Sequence, residues 1–213
     1  MKTLFGEPPA VVTADIPGGY HELPLTDIPN AVAKSEDIAR HQLGYTYEHF
    51  TEATQVIADL LSDLRGQNSC YCGIGQHASP DGSLVTSWLT ISTLHYESAR
   101  SPRLRIADLI AEKGTERRDI YMEAVNIDGR TILFSESTPT YSVGEDKDDA
   151  GRPDAAVHQI EAIIPSDDGS RIAAAIFSTA DIAYGPHFRP MMMSLAASIQ
   201  FRSSITENTR LKL

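Results

Sequence analysis

Two periods of apolar residues alternate along the chain, and each predicts a different element. In "YTYEHFTEATQVIADLLSDLRG" the residues Phe50, Ala53, Ile57, Leu61 and Leu64 recur at three- and four-residue spacing, so they line one face of an amphipathic helix that Gly66 ends. Just before it, "DIPNAVAKSEDIARHQLG" places Pro29 in a first turn, where a helix tolerates it, and Gly44 where a helix can stop. "GYHELPL" reads as a short opening strand. Three pairs of strand-like runs follow, each joined at an Asp-Gly step: "NSCYCGIGQHA" to "LVTSWLTISTL" through "SPDGS", "RRDIYMEAVNI" to "TILFSESTPTY" through Asp128-Gly129, and "AVHQIEAIIP" to "RIAAAIFST" through "SDDGS". The helical stretch "PRLRIADLIAEKG" separates the first two pairs. A last helix starts near Pro186. At 100° per residue it gathers Phe188, Met191, Met192, Leu195 and Ile199 on one face and leaves Met193 and Ala197 opposite.

Strands joined by tight turns pair antiparallel. Apolar residues fill both alternate positions of several strands, as in Ile160, Ile163, Ile164, Ile172, Ala173 and Phe177, and a sheet with two apolar sides needs cover on both. The expected fold is α+β: an antiparallel sheet of about six strands built from hairpins, flanked by helices on both faces. Residues 1–17, rich in Pro, Gly and Ala, read as an irregular lead-in, 18–202 as a single domain, and 203–213 as a polar tail. Residues 142–154, "SVGEDKDDAGRPD", read as a mobile acidic loop.

Charge narrows the partners. The chain has 18 Lys and Arg against 29 Asp and Glu, a formal net charge of −11, which repels phosphate backbones and anionic lipid, so nucleic acid and membrane surfaces are poor partners. No run of about 18 apolar residues could span a bilayer, and the N-terminus has no apolar core of signal-peptide length. A cytoplasmic location is expected. Cys70 and Cys72, two apart on one strand, should face the same side as small core residues and are badly placed for a disulfide.

Candidate chemistry is sparse. The seven histidines form no HxH, HExxH or Cys/His ligand pattern, and His77 lies an odd number of positions from both cysteines, so a regular strand sends it to the other side. Gly73 and Gly75 lack the third glycine and the strand-to-helix setting of a dinucleotide loop. Glu97, Glu123 and Glu136 could serve as acid and base only if the fold brought them together. No catalytic residue, cofactor or metal site is therefore assigned. Met191 and Met192 belong to the core, whereas Met193 should be exposed, and a flexible apolar side chain on a surface suits a partner contact. In the acidic loop, Asp146, Asp148 and Asp149 lack the bidentate glutamate that closes an EF-hand loop; they suit an electrostatic contact with a basic partner better than calcium.

The C-terminal run, a strand ending in Pro165, an Asp-Gly turn, "IAAAIFST" followed by Ala-Asp, an aromatic near a helix start and a closing "LAASIQF", resembles the Mog/PsbP-like superfamily over roughly Tyr45 to Phe201. The resemblance implies an α/β/α sandwich and a binding or adaptor role. It carries over no functional residue, because the group has no invariant catalytic motif. Similar bacterial domains act as secretion-effector chaperones or envelope lipoproteins, and no lipobox cysteine stands near the start of this chain. The expected function is a non-catalytic protein-binding module, a chaperone or adaptor for a secreted or assembled partner. The alternatives are a small-molecule hydrolase without a recognisable motif and a structural component of a larger assembly.

Overall fold

The computed structural model describes residues 11–33, 47–116, 120–141 and 155–202; the acidic stretch with Asp146, Asp148 and Asp149 and the polar tail lie outside the described residues. In chain order the elements are β1 (Val11–Thr13), β2 (Tyr20–Glu22), a helical segment α1 over 28–33, α2 (Tyr47–Gly66), β3 (Ser69–Ala78), β4 (Leu84–His95), α3 (Pro102–Glu116), β5 (Tyr121–Ile127), β6 (Arg130–Ser137), β7 (Thr140–Tyr141), β8 (Ala155–Ala156), β9 (His158–Pro165), β10 (Arg171–Thr179), a 3-10 turn (Gly185–Phe188), α4 (Arg189–Ser198) and β11 (Gln200–Arg202). The protein is α+β. Seven strands form one antiparallel sheet in the order β2-β3-β4-β10-β9-β6-β5, and β1–β11 and β7–β8 form two small separate ladders.

All three Asp-Gly turns close hairpins, β3–β4, β5–β6 and β9–β10. At Asp128-Gly129 both residues have positive φ, 51° and 83°, the backbone of a two-residue turn whose twist matches that of the strands. The two five-residue turns share one device: Asp81 accepts from the Ser79 hydroxyl and, at 3.1 Å, from the Ser83 amide, and Asp168 accepts from the Ser166 hydroxyl at 2.7 Å and the Ser170 amide at 3.0 Å. These bonds hold the Asp168 carboxyl down at about 2.

Alternate side chains of the sheet enter different clusters. Val85, Leu89 and Ile91 of β4, Ala173, Ala175 and Phe177 of β10, Ile160, Ala162 and Ile164 of β9 and Ile132 of β6 pack with Phe188, Met192, Leu195, Ala196 and Ile199 at and around α4. Their neighbours of opposite parity, Leu133, Ile163 and Ile172, pack with Ile106 and Leu109 of α3, and Trp88 and Cys72 with Ala58 and Leu61 of α2. The run "RPMMM" is less interior than the sequence suggests: Met192 is fully buried and Met191 half-buried, whereas Arg189, Pro190 and Met193 are exposed. Arg130 donates to the Ile199 carbonyl at 2.7 Å and to that of Ala197, satisfying acceptors at the end of α4.

Four expectations need correction. The main sheet has seven strands rather than about six, because Tyr20–Glu22 joins it beside β3. Within the supposedly irregular lead-in, Val11–Thr13 is a strand paired with Gln200–Arg202. The two cysteines are not equivalent: the register shifts between Ser69 and Tyr71, a bulge that spoils the alternation, so Cys70 is exposed while Cys72 is fully buried. Burial pushes the Cys72 thiol up to about 12, which makes it an inert core residue. On α2 the inward stripe is Ala58, Leu61 and Leu64, while Ile57 is 37% exposed beside Val56 and Leu60. The side chains of Phe50 and Ala53 lie outside the described residues.

Candidate functional site

The sheet ends at β5, and the α4 side of its last strands is where the surface becomes concave. The alternation of β6 puts Phe134 and Glu136 on this side, opposite Glu123 and Tyr121 of β5, and that of β9 adds His158 and Ile160. Arg189 and Met193, one helical turn apart on α4, form the facing wall. With Val125 these residues, apart from the buried His158, line a cleft of about 300 Å³.

Its electrostatics centre on Glu136. Arg189 donates through Nε to Oε2 at 2.6 Å and through Nη2 to Oε1 at 2.8 Å, a bidentate pair that raises the guanidinium pKa further. His158, 4% exposed, brings Nε2 within 3.3 Å of Glu136 Oε1 but out of line for a hydrogen bond, so that nitrogen is buried without a hydrogen-bond partner. Burial lowers the His158 pKa; Glu136 opposes that shift and Arg189 adds to it. Gly185 makes the arrangement possible, because a Cβ there would overlap the imidazole. His158 thus packs behind Glu136, with Arg189 on the exposed side of the pair.

The cleft opens onto the outer edge of β5. Among the described residues nothing pairs with the outer side of β5, whose seven residues contain no proline and keep an unbroken register with β6. Tyr121 is 65% exposed and Met193 42%, and the Tyr121 hydroxyl donates to Glu123 Oε2 at 3.2 Å.

Two other polar clusters offer less. His77 Nε2 lies 3.1 Å from Ser87 Oγ, which also hydrogen-bonds Tyr20 Oη at 3.0 Å. Ser87 is only 3% exposed, and Gly75 leaves no spare room, since a Cβ there would meet His77, Tyr20 and Ser87 at 2.5 to 2.8 Å. Sealed in this way, the group ties β2, β3 and β4 together beneath Phe188, whose ring packs edge-on against His77, and presents no reachable nucleophile. Between α3 and the sheet, Lys113 Nζ and Ser135 Oγ both donate to Glu161 Oε2, at 2.6 and 2.7 Å, in a cavity of about 240 Å³ also lined by Ser137 and Gln159.

Of the residues singled out by sequence, the fold brings Met193, Glu123 and Glu136 into one cleft and keeps Glu97 out of it. Sequence reasoning passed over Arg189 and His158. The parity of His158 with Ile160 and Ala162 was the one available sign that it faces α4. No group of three or more metal-ligating side chains occurs among the described residues, and no helix there is long and apolar enough to cross a membrane. What these features define is a class: an α+β protein on an antiparallel sheet with a cleft between its last helix and one open edge. No protein-family model matches the chain, and no curated protein matches it.

Proposed function

We propose that this protein is a non-catalytic binding module, a chaperone or adaptor that holds part of another protein. The observation that carries the reading is the exposed Met193 facing Val125 and Tyr121 across a cleft that opens onto the outer edge of β5, which has no partner strand among the described residues. Within the cleft, the ionic pair Arg189–Glu136 is engaged with itself rather than poised for proton transfer. The packing of alternate sheet positions against α4 and against α2 and α3 supports reading the fold as a Mog/PsbP-like α/β/α sandwich. The charge of −11 favours a protein partner over nucleic acid or an anionic membrane and suits a cytoplasmic protein, with Asp146, Asp148 and Asp149 as a further contact for a basic partner.

A second reading, a small-molecule hydrolase, draws on the Lys113–Glu161–Ser135 cavity. There the lysine and glutamate neutralise each other and the serine donates to the carboxylate instead of to a free base, so the arrangement binds better than it reacts. Selection from a displayed random-peptide library separates the two. The module should enrich a convergent set of peptides that Met193→Asp no longer retains. A library without any enrichment on the wild-type protein would refute the binding reading.

A further inference from the structure

Resting on the binding-module reading, we infer that the cleft takes an extended, positively charged segment of a partner protein, added to the sheet as a further strand along β5 with an apolar side chain seated between Met193, Val125 and Phe134.

Backbone geometry comes first. An edge strand presents a row of unpaired amides and carbonyls, and natural sheets blunt such edges with proline, bulges, shortness or cover. β5 shows none of these among the described residues, whereas the opposite edge, β2, is only three residues long. A segment pairing with β5 satisfies these groups as a helix cannot. Side-chain period comes second. Tyr121, Glu123 and Val125 all point to the α4 side, so an added strand puts every second side chain on that same side, where Met193 and the Phe134 floor are apolar.

Charge selects among extended segments. Among the described residues, Arg189 is consumed by Glu136 within the cleft, while Glu123, at the open edge, receives only the hydroxyl of Tyr121. The surplus charge of the described residues at the seam is therefore negative, on a chain that is itself −11. A lysine or arginine next to the seated apolar residue is attracted, and an acidic strand is repelled. The same argument weighs against a second copy of this chain, because pairing β5 with β5 would bring two such edges and two Glu123 side chains to one seam.

The test uses fluorescently labelled ten-residue Lys-Val and Glu-Val repeat peptides and the full chain. Anisotropy should show the Lys-Val peptide binding about tenfold or more tightly than the Glu-Val one, with the difference shrinking in salt. Because any cationic peptide is drawn to an acidic protein, two N-methylated Lys-Val versions carry the decision, each methylated at alternate amides on one edge. Strand addition abolishes binding for one version and spares the other; equal binding of both overturns the inference. Glu123→Lys should reduce the Lys-Val preference and Met193→Asp should weaken binding, both with unchanged circular dichroism. Library peptides that converge on a helical or acidic pattern would overturn this inference and leave the binding-module reading standing. Concentration-dependent dimerisation competed by the Lys-Val peptide would overturn it too, in favour of a second copy at this edge.

Discussion

Arg189 grips Glu136 with two guanidinium nitrogens at 2.6 and 2.8 Å, although the arginine side chain is 57% exposed and the glutamate only 17%. The burden of the pair falls on the glutamate, which without its partner is a mostly buried carboxylate beside the buried His158. Arg189→Ala should therefore cost about 1–3 kcal/mol, the range for stranding a buried polar group. Arg189→Lys should recover part of this, because an ammonium cannot repeat the two-point geometry. Denaturant unfolding of the two variants gives the comparison. Arg189→Ala should also raise the His158 pKa, since Arg189 now depresses it and burial alone would then oppose Glu136; a proton NMR titration of the imidazole reads this directly.

Stability should fall as the solution is acidified below about pH 6.5. His158 and His77 both have pKa values lowered by burial from the ordinary 6.5. Between the lowered value and 6.5 the unfolded chain binds more protons than the folded one, so the free energy of unfolding rises with pH in that window. The stability is fully present above 6.5 and is lost as pH falls through the folded values. Asp168, held at about 2 against an ordinary 3.8, adds a second loss at lower pH, present above 3.8 and gone below about 2. His158→Phe should flatten the slope near pH 6, measured as melting temperature against pH.

How far the sequence reaches is visible in which contacts are local. The three hairpins follow from Asp-Gly steps lying between alternating runs, a signal contained within a few residues. The stripe Phe188, Met191, Met192, Leu195 and Ile199 is equally local, and all but the half-buried Met191 are buried. By contrast, β1 is three residues whose partner β11 is at the other end of the chain, and nothing in "VVT" announces that pairing. The bulge at Cys70 is set by how β3 fits β4 rather than by its own residues. The cleft is the least legible feature. Glu136, His158 and Arg189 come from three elements, and their meeting depends on strand order, with β9 lying between β6 and β10.

Two turns of nearly the same sequence should respond differently to one substitution. Gly82 and Gly169 both have positive φ, 85° and 62°, but a Cβ at Gly82 meets open space while one at Gly169 would run into the Arg100 carbonyl. Gly82→Ala should cost about 1–2 kcal/mol, the strain of an L-residue in the left-handed region. Gly169→Ala adds a backbone clash and should cost clearly more. It should also loosen Arg105, which is buried and donates to the Gly169 carbonyl at 3.2 Å and the Ser98 carbonyl at 2.9 Å while its guanidinium stacks 3.7 Å over Tyr96. Paired thermal melts with near-ultraviolet circular dichroism would show both effects, and equal losses in the two variants would contradict the blocked geometry.

Trp88 and Leu89, adjacent on β4, report on helices of different clusters. Leu89 is fully buried in the cluster under α4, whereas Trp88 is half-buried and packs against the cluster formed by Ile28, by Ala58 and Leu61 of α2 and by Cys72 of β3. Complete burial of a tryptophan is worth about 3–5 kcal/mol on truncation to alanine, so the partial cover here should reduce Trp88→Ala to about 2–3 kcal/mol. Leu89→Ala should cost about 2–5 kcal/mol because its cavity cannot fill with water. Leu84→Ala, at an exposed position of the same strand, should stay within about 0.5 kcal/mol of the wild type. Hydrogen exchange would separate the first two, with Trp88→Ala raising amide exchange chiefly in α2 and Leu89→Ala chiefly in α4. If both variants loosened the same helix, the division of the core between these two clusters would be wrong.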